Sequence, residues 1–254
     1  PQTDLSEAAV RSLEQFIYNN GAYGKTLFYA ARVEQASLPN LEAFLSEWGV
    51  SIGAGAVFES KAERTYQYQP FYPLADYASE TYRDMLIDDA TPMLIPMSRP
   101  LSTLFAARDG YVTEALLTFA ETAAVRPADA GADFGADDAT QWGPMPAMVL
   151  ARYQVVENGA VSKQSNVIVT GSTAMLDALC LQNSSLANTE YLLNLFNDLL
   201  MREDAVQIAP KSLAGKTLGV TTKQISTLGV LLGGVLPLSI LLAGAFVFWY
   251  RRYQ

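Results

Sequence analysis

Apolar residues return at every third or fourth position through DLSEAAVRSLEQFIYNNGAYG, so that Val10, Leu13, Phe16 and Ile17 share one face of a predicted helix. Ser6 is placed to cap its start, Glu7 sits in the first turn where the helix dipole favours an anion, and Asn20-Gly21 supplies the stop. Residues 26–31 (TLFYAA) form a short apolar run that reads as a buried strand. A second helix follows in LPNLEAFLSEWG, with Leu41, Phe44, Leu45 and Trp48 inward and Gly49 ending it. Residues 50–58 return as a strand that carries Gly53 and Gly55. Helix and strand alternating at such intervals predict a layered α/β fold.

The middle of the chain has weaker periodicity. Residues 60–90 are rich in tyrosine and mixed charge without a sustained period, and residues 92–96 (PMLIP) read as a short strand. Residues 111–124 (YVTEALLTFAETAA) fit a helix by propensity, while Val112, Glu114 and Leu116 equally permit an extended segment. Residues 129–138 (DAGADFGADD) read as a solvated loop. Its aspartates lack the ligand spacing and terminal glutamate of a calcium-binding hand. Residues 143–156 predict a turn feeding a strand, and residues 165–170 (SNVIVT) a buried strand leading into Gly171-Ser172. The stretch TEYLLNLFNDLLMRED predicts a helix with Leu192, Leu195, Phe196 and Leu199 as its apolar stripe. Val206-Gln207-Ile208 reads as a last short strand, and residues 211–224 as a polar connector.

From Leu228 to Tyr250 the chain carries no charged residue and holds 13 Leu, Ile, Val and Phe residues. A helix of that length crosses the roughly 30 Å hydrocarbon core of a bilayer. Soluble helices seldom stay apolar on every face for so long. A transmembrane helix over residues 225–250 is therefore predicted, between a folded region (1–209, with a juxtamembrane connector at 210–224) and a short tail (251–254). Gly229, Gly233, Gly234 and Pro237 are tolerated in membrane helices, and the Gly229-x-x-x-Gly233 spacing lets a second helix approach closely. Trp249 and Tyr250 belong at the interface, with Tyr253 beyond them and Arg251-Arg252 as an anchor. Lys211, Lys216 and Lys223 before the span balance the arginines after it, so flanking charge does not assign its orientation.

The chain of 254 residues has a formal net charge of −9, which argues against nucleic acid or anionic lipid as the main partner. There is no histidine, and Cys180 is the single cysteine. Ser-His and Cys-His nucleophilic pairs, the usual zinc sets and imidazole acid–base chemistry are thereby excluded, as is an internal disulfide. No catalytic, cofactor or metal residues are assigned. The chain opens on Pro1 with no signal segment, and is expected to be a piece of a larger domain, incomplete at its amino terminus.

Two separated stretches carry a family resemblance. The first runs from PQTDLSEAAV, a "DLS" helix cap, through the glycine-terminated helix and apolar strand to LPNLEAFLSEWGVSIG. The second is SNVIVTGSTAMLDALCLQNSSLANTEYLLNLFNDLLMREDAVQIAPKS, followed at once by the apolar span. Between them Gly143-Pro144 opens an apolar strand in the matching place. In this order they resemble the GldG-type auxiliary component of bacterial ABC transporters, named for gliding motility. The resemblance implies an extracytoplasmic domain with a layered glutamine-amidotransferase-like (Rossmann-like) α/β fold, shared with intraflagellar-transport proteins and serving as a scaffold. It further implies partnership with an ABC-2-type permease and its cytoplasmic ATPase at the bacterial cell membrane. Family members carry a Gly-Asp/Asn-Ser-Asp-Phe loop after the strand at Val167 to Val169. This chain has Gly171-Ser172-Thr173-Ala174-Met175 instead, so any carboxylate site there is lost.

Several residues are candidates for a site. Gly171-Ser172 stands at a strand end, where open α/β sheets bind ligands, although an ordinary turn is the better reading. Asn194 and Asn197 lie one turn apart and are suited to a ligand or to neighbouring loop backbone, the latter being favoured. Cys180 lies among apolar residues without a base and reads as an inert thiol. Tyr66, Tyr68, Phe71, Tyr72, Tyr77 and Tyr82 suit an interface or a glycan surface, with core filling favoured. These features lead to a non-catalytic transport accessory, with a membrane-tethered solute- or glycan-binding receptor as the alternative. A tethered hydrolase or amidotransferase is opposed by the missing histidine.

Overall fold

The computed structural model describes residues 3–200 and, near the carboxyl end, residues 229–235, 237–239, 241, 242, 248 and 251. The chain divides into two compact units, Pro1–Ser212 and Leu213–Gln254.

In the first unit, helix α1 (Glu7–Tyr18) begins as its sequence dictates. The Ser6 hydroxyl accepts the Ala9 N–H at 3.2 Å and Glu7 lies in the first turn. It ends at Asn19, which takes the left-handed conformation at φ 49°, one residue ahead of the expected Asn20-Gly21 stop. Ile17 is buried and Val10 and Leu13 are half-buried, but Phe16 is 47% exposed. Adjacent helical positions point about 100° apart, so only one of Phe16 and Ile17 faces inward. The Phe16 ring instead receives the Lys25 ammonium at 5.6 Å. Helix α2 (Pro39–Glu47) buries Leu41, Phe44 and Leu45, with Trp48 at its cap and Gly49 immediately after, as expected. Its start has no cap of its own. The Asp4 carboxylate accepts the N–H groups of Asn40 at 2.9 Å and Leu41 at 3.3 Å, tying the openings of α1 and α2 together.

Among the described residues there are eleven strands, in chain order β1 (Thr26–Ala30), β2 (Val50–Ile52), β3 (Ala56–Glu59), β4 (Leu74–Tyr77), β5 (Met93–Leu94), β6 (Leu101–Thr103), β7 (Ala107–Arg108), β8 (Tyr111–Phe119), β9 (Ala123–Arg126), β10 (Met145–Glu157) and β11 (Ala160–Thr170). The central mixed sheet has the order β1-β11-β10-β8-β4-β5, with β7 also on β8. Only β1 and β11 run parallel, with Thr26 opposite Asn166 and Ala30 opposite Thr170. The other pairs are antiparallel. Two of them are closed by two-residue turns, Asp109-Gly110 and Asn158-Gly159, in which every residue has positive φ (49°, 88°, 54° and 81°). That geometry matches the twist of a hairpin and can join only antiparallel neighbours.

Residues 50–58, expected as one strand, are two. The chain bends at Gly53-Ala54-Gly55, so that β2 pairs with β6 and β3 with β9 in separate two-stranded sheets. Residues 111–119 are extended and not helical. Leu116, Leu117 and Phe119 are buried, and β8 is hydrogen-bonded on both edges, which a helix of the same sequence could not satisfy.

Alternation along the central strands builds three layers. Val149, Ala151, Val167 and Val169 pack under α1 and α2, with Ile17, Leu38, Phe44 and Leu45 above them. Met148, Leu150 and Ile168 face the opposite side. There α5 (Asn188–Leu199) lays down Tyr191, Leu192, Leu195 and Leu199, and Phe196 meets Phe28 edge-on at 5.4 Å. Both faces are covered, which is why these strands read as continuous apolar runs. Two short helices, α3 (Glu80–Arg83) and α4 (Ala178–Leu181), flank α5.

The second unit is described only in part. Leu231–Val235 form a wide π-type turn just ahead of Pro237, whose ring cannot accommodate the carbonyl four residues back. Val230, Leu231, Leu232, Leu238, Leu241, Leu242 and Phe248 are exposed. A side chain at Gly229, Gly233 or Gly234 would meet open space within this unit. Among the described residues no helix is long and apolar enough to cross a membrane. The Val206–Ile208 strand, the 210–224 connector, Trp249, Tyr250, Arg252 and Tyr253 lie outside the described residues, as do many positions of the expected span. Arg251 is described, and exposed.

Candidate functional site

The strand-end position singled out in the sequence is filled. The Ser172 hydroxyl donates to the Pro96 carbonyl and accepts the Met175 N–H at 3.2 Å. The Arg99 N–H donates to the Gly171 carbonyl at 2.9 Å. Segment 96–100 therefore occupies the place beside the parallel pair where a ligand would enter, and Ser172 is wholly buried. Arg99, also buried, donates its Nε–H to the Gly53 carbonyl at 2.8 Å.

The other candidates are largely absorbed by packing. Asn194 is buried and donates to the Met85 carbonyl at 2.8 Å, so it serves loop backbone, while Asn197 is half-buried. Tyr77 donates to the Thr91 carbonyl at 2.7 Å and stacks on Tyr191 at 5.6 Å. Tyr66 accepts from Asn183 at 3.1 Å and packs with Tyr72 beside Cys180. Phe71 lies 6.2 Å from Phe58, and Tyr68 is exposed. Among the described residues no group of three or more Cys, Asp or Glu is placed to hold a metal ion.

Burial pushes the Cys180 thiol up to about 12, with Asp177 adding to the effect. The native protein is therefore expected to leave Cys180 unmodified by a thiol reagent at pH 8, with stoichiometric reaction only after denaturation. Rapid labelling of folded protein would contradict the burial.

Two groupings were not visible in the sequence. In the first, Arg152 on β10 pairs with Glu114 on β8 at 2.8 Å, and Glu114 also accepts from Ser79. Tyr82 of α3 donates to Asp198 of α5 at 2.8 Å, and Arg152 reaches the Tyr82 oxygen at 3.4 Å. These groups satisfy one another and fasten α3 and α5 to the sheet. No spacing rule links residues so far apart in the chain.

The second grouping lines a hollow of about 290 Å³ between the carboxyl ends of α1 and α2. Helix α1 contributes Glu14, Ile17 and Tyr18, and Tyr23 follows from the next turn. Helix α2 contributes Phe44 and Glu47, with Trp48 at its cap. The sheet supplies Tyr111 and Tyr153, which face each other directly across β8 and β10. Their rings meet at 4.9 Å, Trp48 meets Tyr111 edge-on at 5.2 Å, and Tyr23 stacks on Tyr153 at 5.3 Å. Burial raises the Tyr111 phenol above its usual range, the Glu47 carboxylate and Tyr153 add to it, Arg108 opposes it, and Glu14 acts in the same sense as Glu47. Glu14 and Glu47 are exposed, and neither has a hydrogen bond or ion pair among the described residues. The one local signal for this site was Asp109-Gly110, whose hairpin turn sets Tyr111 at the start of β8.

Taken together, the chain presents a mixed α/β body of three layers, with a lined hollow on the α1/α2 side. No protein-family profile matches the chain, and no curated protein matches it. A solved structure described as "mmIFT52 N-terminal domain" is similar at 16% identity, covering 81% of this chain and 76% of that one with a TM-score of 0.54. At that identity the likeness shows the fold alone.

Proposed function

We propose that this chain is a non-catalytic, membrane-anchored accessory subunit of a bacterial ABC-2-type ABC transporter. In this reading a glutamine-amidotransferase-like α/β domain docks on the permease from the extracytoplasmic side, and residues 225–250 form its membrane helix. The observation that carries it is the uncharged apolar run from Leu228 to Tyr250, closed by Arg251-Arg252, behind an α/β body whose strand-end crevice is filled. The GldG-type order of segments supplies the partner, and Gly229, Gly233 and Gly234 supply a face on which a permease helix can pack. Tagged protein solubilised from native membranes in mild detergent is expected to bring down a multi-span permease and an ATPase. Recovery of the chain from the membrane fraction without either subunit would refute the docking, and release by alkaline carbonate would refute the span.

A second reading, a membrane-tethered receptor domain that delivers a solute or glycan to the transporter, is favoured by one specific observation. This is the aromatic hollow, a concave site with convergent polar groups.

A further inference from the structure

We propose that the hollow between the carboxyl ends of α1 and α2 binds a small organic cation with an alkylated ammonium head. The proposal names the ligand class of the hollow that favours the second reading and rests on that reading only in this, using neither the membrane segment nor a transport partner.

The electrostatics of the site are one-sided. A helix carboxyl end carries partial negative charge and is ordinarily matched by Lys or Arg in its last turn. Neither α1 nor α2 has a basic residue there. Each instead has a glutamate near that end, Glu14 one turn before Tyr18, the last residue of α1, and Glu47 as the last residue of α2. Both carboxylates line the hollow. The cations attached to the surrounding elements are engaged elsewhere. Arg11 pairs with Glu7 at 3.5 Å, Lys25 lies over Phe16, Arg108 lies 4.2 Å over the Phe105 ring, and Lys163 donates to the Gly21 carbonyl at 3.0 Å. Two like charges and two dipole ends thus converge, and among the described residues no cation is ion-paired with either glutamate, Arg108 acting on Tyr111 from its place over Phe105. Local rules of stability are broken in this way chiefly where a site requires it.

The walls select the kind of cation. Ring faces carry the negative lobe of the aromatic quadrupole and attract a diffuse positive charge that need not be hydrated. Tyr18, Tyr23, Tyr111, Tyr153 and Trp48 line the space, and the side-chain polar groups of its lining are phenol oxygens, one indole N–H and the two rim carboxylates. A primary ammonium needs three acceptors on leaving water, whereas an alkylated one needs few and gains from ring contact. A volume of about 290 Å³ suits such a head and a short tail. A phosphocholine would place a phosphate beside Glu14 and Glu47, so the proposal commits to the free cation.

Full-length protein in a non-ionic detergent, titrated calorimetrically, tests this. Choline is expected to bind saturably and about tenfold more tightly than its neutral isostere 3,3-dimethylbutan-1-ol, the difference being the cation–π and carboxylate contribution. Phosphocholine should bind more weakly than choline. The double variant Glu14→Gln/Glu47→Gln should lose about tenfold in choline affinity while keeping its melting temperature, because both side chains are exposed and otherwise unpaired. Equal affinity for choline and the isostere would overturn the proposal, as would tighter binding of phosphocholine or an unchanged affinity in the double variant. Absence of saturation by about 50 mM choline, or saturable maltose binding that choline does not displace, would do the same.

Discussion

Alanine at Gly171 is expected to lower the stability of the folded domain by about 3 kcal/mol or more, enough to drop the melting temperature by roughly 6–12 °C. The added methyl would point at the Arg99 carbonyl oxygen and the Ser98 hydroxyl, both well inside contact distance. Neither can step aside easily. Arg99 is held by its N–H to the Gly171 carbonyl at 2.9 Å and by its side chain to Gly53. Ser98 is buried, and its backbone carbonyl accepts the Val57 N–H at 2.7 Å. Relief therefore requires segment 96–100 to lift off the end of β11. Thermal unfolding of full-length protein measures the effect, and a variant melting within a degree or two of the parent would show that this segment is not packed as described. The same displacement would reopen the strand-end crevice, so any ligand binding gained by the variant would be informative in itself.

Raising the pH through 10 to 12 is expected to unfold the domain steeply, because buried tyrosines hold their protons. Tyr82 and Tyr191 are almost fully buried beneath α3 and α5. Burial, reinforced by the Asp198 hydrogen bond and charge, pushes the Tyr82 phenol up to about 12. Burial also raises Tyr191 strongly, with Tyr82 and Tyr77 adding to the effect, and raises Tyr77. The folded pKa values lie above the unfolded value near 10, so below pH 10 both states are protonated and nothing is lost. As pH rises past 10 the unfolded chain releases these protons first. Each proton the folded state retains then costs about 1.4 kcal/mol of stability per pH unit. Tyr82 and Tyr191 together give a slope of about 3 kcal/mol per unit, large against a total of about 5–15 kcal/mol. Denaturant unfolding of full-length protein at several pH values measures this slope. The Tyr82→Phe variant should reduce it by close to one proton, and a slope unchanged by that substitution would refute the assignment.

Much of the local structure was legible in the residues. The Ser6 cap, the α2 stripe of Leu41, Phe44 and Leu45, and the α5 stripe of Leu192, Leu195 and Leu199 all follow the helical period and stand where it placed them. The apolar run at residues 165–170 of β11 is a buried strand as expected, and its burial on both faces explains the lack of alternation, whereas β1, expected to be buried, is half-buried throughout. Asp109-Gly110 and Asn158-Gly159, flanked by strand-forming residues, mark hairpin turns, and they account for the antiparallel pairing of β7 with β8 and of β10 with β11. The first of them favours an extended segment from Tyr111, as β8 is, over a helix. Gly53 and Gly55 are compatible with one continuous strand as far as composition goes, which does not say which partner each half will find.

What the sequence determined alone is therefore the local fabric of the protein: helices with their caps, buried strands, an acidic chain without imidazole, and an apolar run of membrane-spanning length. Which strand pairs with which, the closure of the strand-end crevice by segment 96–100, and the meeting of Glu14, Glu47, Trp48, Tyr111 and Tyr153 around one hollow were decided by tertiary structure. The reason is physical. Hydrophobic period and capping act over a few residues, whereas strand pairing and the convergence of helix ends are chosen by contacts between segments tens of residues apart, and for β1 and β11 more than a hundred, whose free energies exist only once the layers have packed.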